Sequence, residues 1–92
     1  MAILTIFDLT TMTTEKYHST IRDLEAAGQG MPKGRRYHIA TPKADGNMIV
    51  TDIWESTEAL QAFGETLIPI LTKAGVTPVE PTVYPVLNVI EG

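Results

Sequence analysis

The spacing of apolar residues changes along this chain in a fixed order, from a period of two to a period of about 3.6 and back, twice over, and few folds accommodate that order. In residues 2–8, AILTIFD, Ile3, Thr5 and Phe7 point one way and Leu4, Ile6 and Asp8 the other, as in a strand. Tyr17, Ile21 and Leu24 then fall at i, i+4 and i+7, one apolar stripe of a helix. Thr13 is placed to cap that helix, Glu15 to sit near the positive end of its dipole, and Gly28 to stop it. The stretch GQGMPKG reads as loop. Strand patterning returns over 35–41 and again over 48–54, and Asp45-Gly46 between them predicts a hairpin. Ser56 caps a second helix, with Leu60, Phe63, Leu67, Leu71 and Ala74 at helical spacing. Pro69 is expected to break or kink it near Ile68, leaving two shorter pieces. Residues 82–90 read as a fourth strand, and Pro85 inside it predicts a sheet edge.

The order βαββαβ is two βαβ halves, the ferredoxin-like arrangement. Right-handed crossovers then put the first and third strands in the centre. The expectation is one α+β domain over residues 1–92, a four-stranded antiparallel sheet with two helices on one face. A sheet covered on one side should be polar on the other. Here both candidate faces are apolar: Ile3, Phe7, Tyr37, Ile39, Ile49 and Ile53 in one set, and Leu4, Ile6, Val50, Trp54, Val86 or Leu87, and Ile90 in the other. A second copy of the chain packed sheet to sheet would cover the remaining face, so a homodimer with a barrel-like core is expected.

A chain of 92 residues without cysteine has no disulfide framework and no thiolate ligand or nucleophile to draw on, which fits a reducing cytoplasm. The opening MAILTIFDLT has no basic flank and is too short for a signal or a membrane span, so no membrane association is expected. A formal net charge of −4 argues against general nucleic-acid binding. Lys33, Arg35 and Arg36 form a local basic run, either a solvated loop or a grip for a substrate carboxylate or phosphate.

Of the two histidines, His18 falls beside the apolar stripe of the first helix and reads as solvent-facing. His38 lies mid-strand, in phase with Arg36 and Ala40. With an even hairpin register it faces Asp52 on the neighbouring strand, on the same side as Trp54; an odd register separates them. A carboxylate beside an imidazole fixes its tautomer, and such a pair serves either as a general base in a dry cavity or as a satisfied structural contact. His38 and Asp52 are therefore the candidate catalytic residues. Trp54, Tyr37, Tyr17, Phe63 and Tyr84 are candidates to line a pocket between sheet and helices, with Arg36 as an anion contact; the same aromatics also suit a plain core. Two histidines on different elements give no metal-ligand spacing, and GQGMPKG lacks the preceding strand of a phosphate-binding loop, so neither metal nor cofactor is expected.

Three runs carry a resemblance that spans the chain: MTTEKY opening the first helix, VTDIWESTEALQAF joining the third strand to the second helix, and YPVLNVI in the last strand. They resemble the dimeric α+β barrel superfamily that includes antibiotic-biosynthesis monooxygenase-like proteins. The resemblance implies a homodimer with a small apolar cavity in each subunit. Some members oxidise polyphenolic aromatics with molecular oxygen and no metal or flavin; others degrade haem or isomerise lactones. The haem-degrading members carry a Trp in the second helix and an axial His further along, where this chain has Phe63 and, near the His position, Lys73. Relatives with a His in the last strand meet Leu87 here, whereas His38 matches a His they share.

Three functions follow as expectations. The first is a cofactor-independent monooxygenase acting on a small aromatic or quinone-like substrate. In it His38 and Asp52 remove a proton, and Trp54 and Tyr84 pack the ring. The second is a non-catalytic dimer, binding a small apolar or aromatic ligand or serving a stress response. The third is a lactone isomerase or decarboxylase, with Arg35 or Arg36 holding a carboxylate.

Overall fold

Both helices start and stop on chemistry that lies within a few residues of their ends. In the computed structural model, which describes all 92 residues, α1 spans Thr14–Ala26 and α2 spans Thr57–Lys73. The Thr13 and Ser56 hydroxyls accept from the backbone N–H groups of Lys16 and Ala59, each at 3.2 Å. Those donors would otherwise be left free by the first turn. At the far ends Gly28 and Gly75 both turn left-handed at φ 77°, where a side chain would be strained. The Gln29 N–H then reaches the Leu24 carbonyl at 2.8 Å, and the Val76 N–H the Leu71 carbonyl at 2.9 Å. Val76 and Leu71 pack in one cluster, so the second stop also closes a patch of core.

Helix α2 runs unbroken through Pro69, which corrects the expectation of two pieces near Ile68. Glu65 and Pro69 are both exposed, so the Glu65 carbonyl that loses its donor faces water. On the inner side Leu67 and Leu71 hold the helix on the core. Tertiary packing outweighs the local cost.

Four strands, β1 (Ile3–Leu9), β2 (Arg35–Pro42), β3 (Met48–Trp54) and β4 (Thr82–Pro85), form one antiparallel sheet in the order β2-β3-β1-β4. With both helices this is the ferredoxin-like α+β fold, β1 and β3 central and Pro85 on an edge strand. The fourth strand is shorter than the expected 82–90, because the ladder stops at a proline. One more bond, from the Val86 N–H to the Ala2 carbonyl at 2.9 Å, holds the chain there. The C-terminal residues then lie against Tyr37 and Ile53 on the side of the sheet away from the helices, and the Tyr37 hydroxyl donates to Glu91. No helix is long and apolar enough to cross a membrane.

Strand β3 alternates without a break: Met48, Val50, Asp52 and Trp54 are buried, while Ile49, Thr51 and Ile53 are only partly so. The register places Ile3, Thr5 and Phe7 beside the inner set, and Leu4, Ile6, Tyr37, Ile39 and Tyr84 on the outer face with Ile49 and Ile53. Both apolar sets read from the sequence therefore mixed the two faces, because alternation within a strand does not say how one strand aligns with the next. Two small cores result, one around Met12, Met48 and Leu71 and one around Trp54, Phe63 and Leu24.

A bulge interrupts β2 between Arg35 and Tyr37. Just before it Gly34 sits at φ 89°, its carbonyl accepting from the Glu55 N–H at 2.8 Å. A Cβ on Gly34 would lie 2.6 Å from the Ala59 Cβ, so glycine lets β2 start close against α2.

Candidate functional site

Asp52 is 4% exposed in the middle of a central strand, where a carboxylate needs a partner. The hairpin takes the even register and sets His38 directly across from it, with His38 Nδ1 2.6 Å from Asp52 Oδ1. A carboxylate only accepts, so the proton of this bond sits on Nδ1, and in that tautomer Nε2 is the ring's acceptor. That position is taken by the Tyr17 hydroxyl, 2.7 Å away, with the two rings inclined by only 6°. The first turn of α1 delivers Tyr17 to this point. Tyr17, His38 and Asp52 thus form one hydrogen-bonded chain across a helix and two strands. Burial pushes the Tyr17 phenol above its ordinary value; the Arg35 charge opposes the shift and the Asp52 charge adds to it.

The chain borders a cavity of about 50 Å³, walled largely by apolar side chains such as Phe7, Met12, Leu24, Phe63 and Leu67. Water needs about 10–15 Å³ of such space per molecule, so a few waters fit as it stands. Besides the chain itself, two polar groups border it. Arg35 stands 5.9 Å from the centre of the Phe63 ring and donates from Nη2 to the Gly30 carbonyl at 3.2 Å. Thr20, one turn along α1 from Tyr17, is 3% exposed, and its hydroxyl has no hydrogen-bond partner in the protein. A buried hydroxyl left in that state costs about 1–3 kcal/mol, so this wall favours a polar guest.

The fold brings together His38, Asp52, Tyr17 and Phe63 of the residues singled out from the sequence. Trp54 has no exposure and lies in the core with its ring 5.3 Å from that of Phe63, off the cavity wall. Tyr37 and Tyr84 are corrected to the outer face: Tyr37 is registered with Ile53 and Tyr84 with Leu4. Arg36 also leaves the site. The bulge shifts the alternation by one, so that Arg35 shares the His38 side while Arg36 joins Tyr37 and the C-terminal residues. A glycine directly ahead of two arginines is a bulge signal that simple alternation passes over. The Tyr17 hydroxyl bond and the Thr20 hydroxyl were also missed, although i+3 spacing puts Thr20 on the Tyr17 stripe. No group of three or more His, Asp or Glu side chains is placed to hold a metal ion.

Fold and site together define a class: small ferredoxin-like α+β proteins with a mostly apolar cavity between sheet and helices. Among the solved structures to which the chain is similar are several described as antibiotic biosynthesis monooxygenases. One is the Rv0793 protein of Mycobacterium tuberculosis, at 18% identity over 98% of this chain and 97% of that one, TM-score 0.62. Another, from Deinococcus radiodurans, is 15% identical over 99% of this chain and 97% of that one, TM-score 0.61. SnoaB, a cofactor-independent oxygenase from Streptomyces nogalater, is 12% identical over 99% of this chain and 96% of that one, TM-score 0.63. At such identities the likeness establishes the fold. No protein-family model and no curated protein matches the sequence.

Proposed function

We propose that the cavity carries out a cofactor-independent oxygenation of a small aromatic or quinone-like substrate bearing an acidic hydroxyl. The observation that carries this reading is the Tyr17–His38–Asp52 chain opening on a mostly apolar cavity. His38 Nε2 takes the hydroxyl proton while Asp52 holds the ring in the tautomer that can accept it. The substrate anion is then poorly solvated and electron-rich, with Arg35 as the nearby positive charge. It gives one electron to dioxygen, and the ring radical and superoxide join through a new C–O bond. The proton on His38 returns to the peroxide. The O–O bond breaks as the ring carbon loses its hydrogen, one oxygen stays as a carbonyl and the other leaves as water. Phenol plus dioxygen gives quinone plus water, so no outside reductant enters the balance. SnoaB, a cofactor-independent oxygenase of the same fold, supports the reading.

Oxygen uptake with a panel of dihydroxy-aromatics tests it. The wild-type protein should consume oxygen, and His38→Ala should lower the rate by about 10²–10⁴-fold, the usual worth of a general base. Unchanged uptake in that variant removes His38 from the mechanism. The unpartnered Thr20 hydroxyl favours a second reading, a binding protein without turnover. In that case a ligand raises the melting temperature and no oxygen is consumed.

The outer sheet face supports a homodimer as the working form. It carries Leu4, Ile6, Ile39, Ile49 and Ile53 with no helix over them, Ile39 being 54% exposed, and the adjoining C-terminal residues leave Leu87 fully exposed. Apolar surface of that kind on a small domain is the usual mark of an interface.

A further inference from the structure

Both ring nitrogens of His38 are occupied, Nδ1 by Asp52 and Nε2 by the Tyr17 hydroxyl. A substrate hydroxyl therefore meets no free acceptor on the base. The cavity is also small: a space of about 150 Å³ is known to take benzene, and this one offers about 50 Å³. The same side chain causes both obstructions. Tyr17 borders the cavity, is only half-buried, and sits in the first turn of α1, beside solvent-exposed His18. Long side chains on a helix have two open χ1 wells, which gives the half-buried phenol a second position to turn to. A turn away from His38 would vacate a ring-sized space that adjoins the cavity and ends on His38 Nε2.

We infer that the Tyr17 ring stands in the place of the substrate, and that a molecule with a single phenolic ring displaces it and takes over its hydrogen bond to His38. The exchange is like for like: a phenol O–H on the same acceptor before and after. That bond contributes little to the balance, and affinity comes from what the guest adds. Its ring fills the vacated and pre-existing space against Phe63 and Leu24. A second oxygen on the ring can meet the Thr20 hydroxyl, which has no partner, or Arg35, which spends one donor on Gly30. The favoured class is thus a one-ring dihydroxy-aromatic of the catechol or hydroquinone type. A fused polycycle exceeds the joint volume of one ring and a few waters.

Oxygenation of such a ring rests on the reading given above; its binding does not, and the test separates the two. Binding of 4-methylcatechol and of toluene is measured under nitrogen by calorimetry, on the full chain as wild type, Tyr17→Phe and His38→Ala, with melting curves to verify folding. Tyr17→Phe keeps the ring but removes the competing hydroxyl. It should bind 4-methylcatechol about threefold to tenfold more tightly than wild type, the worth of one internal hydrogen bond. The preference for the catechol over toluene should shrink in His38→Ala. Equal or weaker binding by Tyr17→Phe overturns the inference, as does a wild type and variant that both ignore the catechol. Tighter binding with no oxygen uptake leaves the displacement standing and ends the oxygenase reading. Oxygen uptake by the wild type with no gain in affinity from Tyr17→Phe does the reverse.

Discussion

Tyr17 joins the cavity wall to His38, and its proton is the easiest to follow. Burial raises the phenol above its ordinary value of 10.0 more than Arg35 lowers it, with Asp52 adding to the rise. The folded chain then holds this proton at a pH where the unfolded chain has lost it. A raised folded value contributes stability that is complete below the unfolded value and is lost as pH rises through the folded one. The stability difference between wild type and Tyr17→Phe should accordingly be level from about pH 7 to 9 and shrink above about pH 10, read by urea denaturation across that range. Tyr37 is raised as well, first by its hydrogen bond to Glu91, but it is present in both proteins and cancels. A difference that grows at high pH would contradict the burial of the phenol.

Among the elements, the start of β2 decides which arginine serves the cavity. Gly34 combines a left-handed backbone with a 2.6 Å approach of any Cβ to Ala59 on α2. Gly34→Ala should destabilise the fold by about 2–4 kcal/mol, through backbone strain and a forced shift of the helix. Thermal melting measures that loss. Binding of 4-methylcatechol should weaken with it, because Arg35 follows Gly34 directly. Helix α2 shows the opposite balance. There a proline expected to break the helix is carried through, since its unpaired carbonyl reaches water and the inner face stays packed.

For the molecule as a whole, 14 of 92 residues are buried, a thin core for a chain with no disulfide. The outer face offers the area that a second chain would add. Sedimentation equilibrium at micromolar concentration should give twice the 10.1 kDa chain mass. Ile39→Glu, on an edge strand and already 54% exposed, should return the single-chain mass without unfolding the protein. A wild type that sediments as one chain would remove the dimer.

By itself the sequence determined the order of elements, both helix caps, the Gly28 stop of the first helix and the edge position of Pro85. Each of these depends on a residue and neighbours no more than a few positions away, within reach of capping bonds, turn geometry and periodicity. It also pointed to His38 and Asp52 as a conditional pair. Only the tertiary structure decided the condition, because a slip of one residue in the hairpin would send them to opposite faces. The same holds for the bulge that brings Arg35 in and turns Arg36 out, for the sinking of Trp54 behind Phe63, and for the passage of Tyr37 and Tyr84 to the outer face. Tyr17 and His38 are 21 positions apart, and their bond exists because α1 packs over β2 and β3 at one height. Local chemistry sets where an element begins and ends; the alignment of one element against another is a property of the packed whole, and the site is made of such alignments.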